Sequence, residues 1–276
     1  MSLLSSLLTQ YFRKGAVGGT HRQEPCPVCG ASSSSYGAVD FNKSCEELRG
    51  KFLPPSNVSI AYYQCKDCGF CFAPEIAKWS LAEFEERIYN KDYVLVDPDY
   101  AEARPQSNAG SLMSMFGNQG LSIRHLDYGG GNGRLSQLLG QQGWNSSSYD
   151  PFVDRSMRAE QLGQFDLITA FEVFEHVPNP KELVREVSSL LVPDGFVLFS
   201  TVLSDGIPGS YERLKWWYAS PRNGHISLFS RQSLNVLARE NDFQWRSLAD
   251  GLHCMWRSVP EWAAHMLSAK NPADGY

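Results

Sequence analysis

The sequence predicts an α/β protein: a doubly wound, mostly parallel sheet with a C-terminal antiparallel hairpin, and a small cysteine-bearing module ahead of it. Three observations predict this. From residue 121 onward, apolar strand-like runs alternate with amphipathic helical stretches, the pattern of parallel crossovers. Two C-x-x-C pairs lie upstream in a stretch poor in aliphatic residues. Near the end, Asp250-Gly251 separates two strand-like runs, which is a hairpin signal. The predicted organisation is a tail or short helix over 1–20, a cysteine module over 21–78, a helical linker or lid over 79–120 and the sheet domain over 121–276.

Within the tail, Leu3, Leu4, Leu7 and Leu8 have helical spacing before Gly15, Gly18 and Gly19 interrupt it. Residues 21–75 show no helical period; with a serine run at 32–35 and Pro54-Pro55 they form a loop-rich module that needs a staple, having too few aliphatics for a core. The run 81–89 places Leu81, Phe84 and Ile88 on one helical face, and Tyr93 and Tyr100 beyond it could pack or act as a lid. Strands are expected at 123–128, 144–150, 165–171 and 196–202, helices at 132–139 and 181–191, and a turn at Pro193-Asp194-Gly195. A long irregular stretch at 203–229 holds Trp216, Trp217, Tyr218 and His225, and loops of that length tend to be functional. A helix over 231–241 and the hairpin follow, with a helical tail over 259–269.

Composition narrows the class. The 276 residues are 42% hydrophobic and 20% charged, which excludes wholesale disorder. Asp and Glu number 30 against 25 Lys and Arg, a net charge of −5 that argues against a nucleic-acid binder. No apolar run approaches the roughly 18 residues of a membrane span, and the first residues lack the basic region of a signal peptide. Seven cysteines, four of them in C-x-x-C pairs, suit a reducing compartment, so the expected location is cytoplasmic.

The pairs are Cys26/Cys29 in C-P-V-C-G and Cys65/Cys68 in C-K-D-C-G. Two intervening residues let both sulfurs of a pair reach one ion, and two pairs supply the four thiolates that tetrahedral zinc prefers. The 35 residues between the pairs (65 − 29 − 1) allow a hairpin with a longer loop. Structural zinc is the expectation; iron–sulfur or redox chemistry and free buried thiols are the alternatives. Cys71 could replace a ligand or be a small buried hydrophobe, while Cys45 and Cys254 lack partners at ligand spacing and are expected to be structural. Residues 20–80 hold six Lys/Arg and six Asp/Glu, so no basic stripe marks the module, and a closed four-sulfur site serves as scaffold or substrate platform rather than catalyst.

The central motif is H-L-D-Y-G-G-G-N-G at 125–133, a strand ending in Asp127 followed by Gly129, Gly130, Gly131, Asn132 and Gly133. A dinucleotide fingerprint fails because Arg134 stands where its last glycine belongs, and the lysine of a phosphate-binding P-loop is absent. The pattern hydrophobic-D-x-G-x-G-x-G resembles the class I S-adenosylmethionine-dependent methyltransferases. The resemblance implies a Rossmann-like methyltransferase sheet, S-adenosylmethionine as cofactor and S-adenosylhomocysteine as product. Asp127 suits the cationic ammonium and sulfonium, and the glycines let the backbone pass close under the cofactor. Asp150, 17 residues past Gly133 (150 − 133), can accept the ribose hydroxyls, or can instead cap a helix before Pro151. Pro151, Phe171 and Glu172 complete the expected cofactor set.

The likeness continues through F-D-L-I-T-A-F-E-V-F-E-H-V at 165–177, V-P-D-G-F-V-L-F-S at 192–200 and P-R-N-G-H-I-S-L-F-S-R-Q-S-L at 221–234. These are similar to the small-molecule branch that includes the ubiquinone-pathway O-methyltransferases. The added cysteine module more loosely resembles sugar C-methyltransferases of antibiotic pathways, which carry a further C-terminal domain. One departure stands out. Only 14 residues separate Asp150 from Phe165 (165 − 150 − 1), so the family's third strand is short or missing, leaving Glu160, Gln161 and Gln164 as polar candidates near adenine.

Methyl transfer from a sulfonium is an in-line displacement in which positioning matters most, and an oxygen or carbon acceptor also needs a general base. The resemblance points to His225 as base or substrate ligand. His176 and Glu175, after the fourth strand, are the other catalytic candidates. His21 and His265 lie outside the matched region, His125 sits inside a strand and His253 in the hairpin. The expected partner is a small-molecule acceptor methylated at oxygen or carbon rather than nitrogen; monomer and homodimer are both open. Alternative readings are an RNA methyltransferase whose zinc module holds RNA, or a non-catalytic S-adenosylmethionine-binding protein.

Overall fold

The structure, a computed structural model, describes residues 23–205 and 214–268. The expected tail over 1–20 lies outside the described residues. Two sheets organise the rest. The large one has the order β10-β11-β8-β7-β5-β6, built from β5 (Arg124–Tyr128), β6 (Asn145–Tyr149), β7 (Phe165–Ala170), β8 (Leu191–Ser200), β10 (Gln244–Ala249) and β11 (Leu252–Trp256). Strands β5 to β8 run parallel, while β11 pairs antiparallel with both β8 and β10. The doubly wound sheet and its terminal hairpin are thus both present. In β7 and β8 the apolar runs are buried on both faces, as a parallel sheet covered by helices demands.

Six helices are present among the described residues: α1 (Leu81–Arg87), α2 (Ala103–Phe116), α3 (Arg134–Gln141), α4 (Pro180–Leu190), α5 (Arg231–Arg239) and α6 (Ala264–Ser268). Local chemistry fixes their starts. Ser80 and Glu83 form a capping box on α1, Asn179 caps α4 with Pro180 in its first turn, and Ser230 caps α5. The expected apolar face of the first helix is corrected at one position: Phe84 and Ile88 are buried, but Leu81 is 54% exposed because it opens a seven-residue helix facing solvent.

Pro193-Asp194-Gly195 is not the expected turn. Strand β8 runs through it, and the register jumps from the Phe165–Leu191 pair to Leu167–Phe196, so the three residues bulge out of a continuous strand. The region 151–164 carries no strand, only a 3-10 turn (Ala159–Gln161), which leaves β6 as the edge of the sheet.

The cysteine module supplies β1 (Glu24–Pro25), β2 (Ser32–Asp40), β3 (Ser59–Cys65) and β4 (Cys71–Phe72) of the small antiparallel sheet. Its fifth strand is β9 (Ser227–Leu228), contributed from beyond the large sheet's parallel strands. The two parts also share one apolar core: Phe70 packs on Phe229 at 5.1 Å between ring centroids, Phe229 on Phe174 at 5.8 Å and Phe174 on Phe199 at 4.2 Å.

Candidate functional site

The strand order reverses between β5 and β7, and the crevice at the carboxyl ends of such strands is where open α/β sheets bind ligands. The glycine loop leaves β5 there. Gly129 and Gly130 donate to the Tyr149 carbonyl at 2.8 and 3.3 Å, which folds the loop over the end of β6. Asp127 lies beneath the loop, buried, accepting a 2.9 Å hydrogen bond from Thr169. A Cβ on Gly130 would stand 2.6 Å from its Oδ2 and 2.3 Å from Ser148 Oγ, so glycine is required by space. Burial pushes the Asp127 carboxyl up to about 7. Gly131 is different: φ is +54° and a Cβ would meet open space, so the exposed side of the loop is free for a ligand.

Asp150 is engaged on both oxygens. Gly131 N donates to Oδ2 at 3.0 Å and Phe152 N to Oδ1 at 2.8 Å, so the carboxylate closes the glycine loop and forms a turn over Pro151. Asn132 accepts from Arg134 N at 3.1 Å and donates to the Ala101 carbonyl at 3.4 Å, tying the loop to the linker. Gly133 caps α3. Phe171, half-buried, packs beside α2 and α3. Glu172 has φ +55°, a left-handed backbone costing a non-glycine residue about 1 kcal/mol or more. Ser200 holds it there, accepting from Glu172 N at 2.7 Å and donating to its Oε1 at 2.9 Å. Of the adenine candidates, Gln161 caps its own turn, and Gln164 reaches the Leu191 carbonyl at 3.4 Å.

A cavity of about 210 Å³ opens beside Glu172. Glu172, His176, Trp217, Asn223 and His225 form its inner wall; Cys45, Glu46, Leu48 and Arg49 come from the cysteine module, and Val96, Asp97, Asp99 and Arg104 from the linker. Arg104 clamps Asp97 through two bonds of 2.7 and 2.8 Å, and Arg49 bridges Glu46 at 2.8 Å and Asp99 at 2.7 Å. Three ligand atoms, one each from Glu175, His176 and His225, lie within 4.8 Å of one another. The His176 and His225 rings are 5.0 Å apart.

The protonation states follow from burial. His225 Nδ1 lies 2.8 Å from the Tyr218 carbonyl, so Nδ1 carries the proton and Nε2 keeps its lone pair. Burial first, then His176, hold His225 well below the ordinary imidazole range. Burial and Arg104 lower His176 to about 4. Glu175 is fully buried and pushed well above the carboxylate range by burial and by Glu172. Tyr218 and Thr201 face it, yet neither oxygen reaches a partner within hydrogen-bonding geometry. Glu175 is therefore a neutral acid near pH 7, a donor rather than a base.

Cys26, Cys29, Cys65 and Cys68 converge, with all four sulfurs within 4.8 Å and the pairs Cys26–Cys68 and Cys29–Cys65 at 3.6 and 3.4 Å. Four sulfurs about 2.3 Å from one tetrahedral ion stand roughly 3.8 Å apart, so the donor set fits a four-thiolate metal. The turns match: Gly30 N donates to the Cys26 carbonyl at 2.9 Å, and Gly69 N to that of Cys65 at 3.0 Å. Cys71 is buried in β4 and outside this group.

His125 and His253 are buried within the large sheet, bonded to Ser146 and Thr169, and to Ser247 and the Thr201 carbonyl, respectively. Tyr93 packs between Tyr89 and Tyr100 at 5.3 Å from each. The sequence had flagged neither Cys45 nor Asn223, Asp97 or Arg104 for the site. Cys45, expected to be structural, has its sulfur 3.8 Å from His225 Nδ1 on the cavity wall.

A glycine loop at the switch point of a parallel sheet, with an acidic residue closing it from the next strand, is the arrangement in which open α/β sheets hold nucleoside ligands. The methyltransferase-domain family matches residues 100–248, more than half of the chain, and the chain belongs to that family. The ubiquinone biosynthesis O-methyltransferase of Bordetella avium is 30% identical over 93 residues, 34% of this chain and 39% of that protein. That of Acinetobacter baumannii is 31% identical over 94 residues, 34% and 40% of the two chains. The chain thus spans about two fifths of the length of these curated relatives. Among solved structures, the 1,6-didemethyltoxoflavin-N1-methyltransferase of Burkholderia thailandensis, with bound 1,6-didemethyltoxoflavin and S-adenosylhomocysteine, matches at TM-score 0.43 and 18% identity, over 71% of this chain and 99% of that one. No helix among the described residues is long and apolar enough to cross a membrane.

Proposed function

We propose that the chain is an S-adenosylmethionine-dependent methyltransferase acting on a small-molecule acceptor at oxygen or carbon, with structural zinc held by Cys26, Cys29, Cys65 and Cys68. One observation carries the reading: the open glycine loop, closed by Asp150, shares the carboxyl edge of the sheet with a cavity whose wall holds a neutral histidine with a bare Nε2. When bound, S-adenosylmethionine supplies a methyl group on a sulfonium, open to in-line displacement, and leaves as S-adenosylhomocysteine. Asp150 is the residue to hold the ribose hydroxyls, Asp127 a buried carboxyl beneath the loop that a bound cationic group would draw into its charged form, and Phe171 and Glu172 the side nearest the acceptor. His225 takes the acceptor's proton at Nε2, while Tyr218 keeps the imidazole in the required tautomer. Its low basicity suits a proton that moves as the acceptor reacts rather than beforehand. Glu175, neutral, serves as a donor beside the two histidines. Zinc, when bound, cross-links the two cysteine turns of a module with little core of its own.

Isothermal titration with S-adenosylmethionine and S-adenosylhomocysteine tests the reading. One site per chain for each is expected, followed by labelled methyl transfer in a screen of small hydroxylated and carbon acceptors. Absence of binding to either compound overturns it. Elemental analysis of chain purified without chelator should find one zinc per chain; none overturns the metal assignment alone.

A further inference from the structure

The segment 214–230 is joined to the cysteine module along its length. Leu214 fills the space of the missing side chain at Gly37, where a Cβ would stand 1.7 Å from Leu214 Cδ1. Cys45 N donates to Asn223 Oδ1 at 2.8 Å, Ala73 N to the Ile226 carbonyl at 2.9 Å, and Ser230 Oγ to the Cys68 carbonyl at 2.5 Å. Between them, Phe72 and Cys71 pair with Ser227 and Leu228 in the small sheet.

Two of these contacts bear directly on His225. The Lys43 ammonium donates to the carbonyls of Trp216 at 2.7 Å and Ala219 at 2.8 Å, on either side of Tyr218. Arg222 N in turn donates to the Lys43 carbonyl at 3.2 Å. Tyr218 is the residue whose own carbonyl accepts the hydrogen bond from His225 Nδ1–H. From the other side, the buried Tyr62 hydroxyl donates to the His225 carbonyl at 2.8 Å. The geometry points to Lys43 and Tyr62 as positioning residues for His225: the first fixes the turn that sets its tautomer, the second fixes its backbone. The cysteine module would then act as the jig for the acceptor-side base, across more than 160 residues of sequence. This rests on the proposed function only in giving His225 a catalytic task; the positioning itself is independent of it.

A charge-assisted hydrogen bond to a carbonyl is worth enough that its loss should raise local opening roughly tenfold or more. The test uses the full chain carrying Lys43→Met, and separately Tyr62→Phe, which keeps the ring and its packing. The imidazole ¹⁵N spectrum, with His225 assigned by its absence in His225→Gln, should show Nδ1 protonated and Nε2 bare in the parent. In Lys43→Met it should show a mixture of tautomers. Hydrogen exchange of the amides in 216–226 should accelerate in both variants, with S-adenosylhomocysteine affinity unchanged. If Lys43→Met fails to fold, Lys43→Gln replaces it. An unaltered His225 tautomer in the Lys43 variant, with unaltered exchange of 216–226 in both variants, would overturn the assignment. If the parent fails to bind S-adenosylhomocysteine, the methyltransferase reading falls, while the tautomer and exchange measurements still decide this one.

Discussion

The two sides of the crevice are built on different principles. The glycine-loop side comes from one continuous stretch, with Asp127, the loop and Asp150 lying within 24 residues and held by backbone hydrogen bonds to Tyr149 and Asp150. The histidine side is assembled from four distant segments, its cavity wall drawing on the cysteine module, the linker, the stretch after β7 and the loop before α5. A site made from neighbours in sequence depends on local geometry. One made from distant segments depends on the whole fold, so the two sides should fail separately when perturbed.

The largest expected effect splits them outright. Cys65→Ser removes one of the four clustered sulfurs, and methyl transfer should fall below detection as the segment 214–230 loses its support, while S-adenosylhomocysteine titration still finds its site. Equal loss of both would show that the two sides form one cooperative unit. Gly131→Val is the converse. It places a β-branched side chain on a φ of +54° and over the open side of the loop, so cofactor binding should vanish while hydrogen exchange in 216–226 stays as in the parent.

His225→Ala should lower turnover by roughly 10²–10⁴, the usual worth of a positioned proton-transfer group, with cofactor affinity unchanged. The pH profile sharpens this. The base form is the neutral imidazole, and activity rises with pH as the imidazolium is lost. Because burial holds the His225 pKa well below its ordinary value, that rise should be complete below the ordinary imidazole range, with no histidine step in turnover at neutrality. A turnover inflection at the ordinary imidazole value would assign the proton transfer to another group, whereas an inflection in cofactor affinity at about 7 belongs to the buried Asp127 carboxyl. The smallest effect belongs to Asp150→Ala, which should weaken cofactor binding by about 1.5–3 kcal/mol, the range for hydrogen bonds to a charged group. Unchanged affinity for adenosine compounds would make Asp150 a loop-closing residue only.

The same contrast explains what could be read from sequence. Asp127, the glycines and Asp150 stood out because their chemistry needs fixed spacing along one strand–loop–strand unit. His176 and His225 could be placed at the carboxyl edge because each follows a recognisable strand. Lys43, Cys45, Tyr62 and Arg104 carried no signal, since what makes them matter is a carbonyl, an imidazole or a carboxylate far along the chain. Local rules also misled where pairing overrode them. Pro193-Asp194-Gly195 has turn chemistry, but alignment of β8 on β7 absorbs it as a bulge. The serine run at 32–35 has little strand propensity, yet it opens β2 because β3 supplies its ladder.

The pairing of β4 with β9 also sets an order of events during synthesis. Phe72 meets Ser227 after 155 further residues (227 − 72), at a translation rate of about 5–20 residues per second. For roughly 8–30 s the nascent chain therefore carries all four cysteines but leaves the edge of β4 and the ring of Phe70 without Ser227, Leu228 and Phe229 to cover them. Burial of the module's own aromatic face must wait for this closure, so the ribosome-bound intermediate carries an adhesive edge, and its yield in cells should depend on chaperone supply.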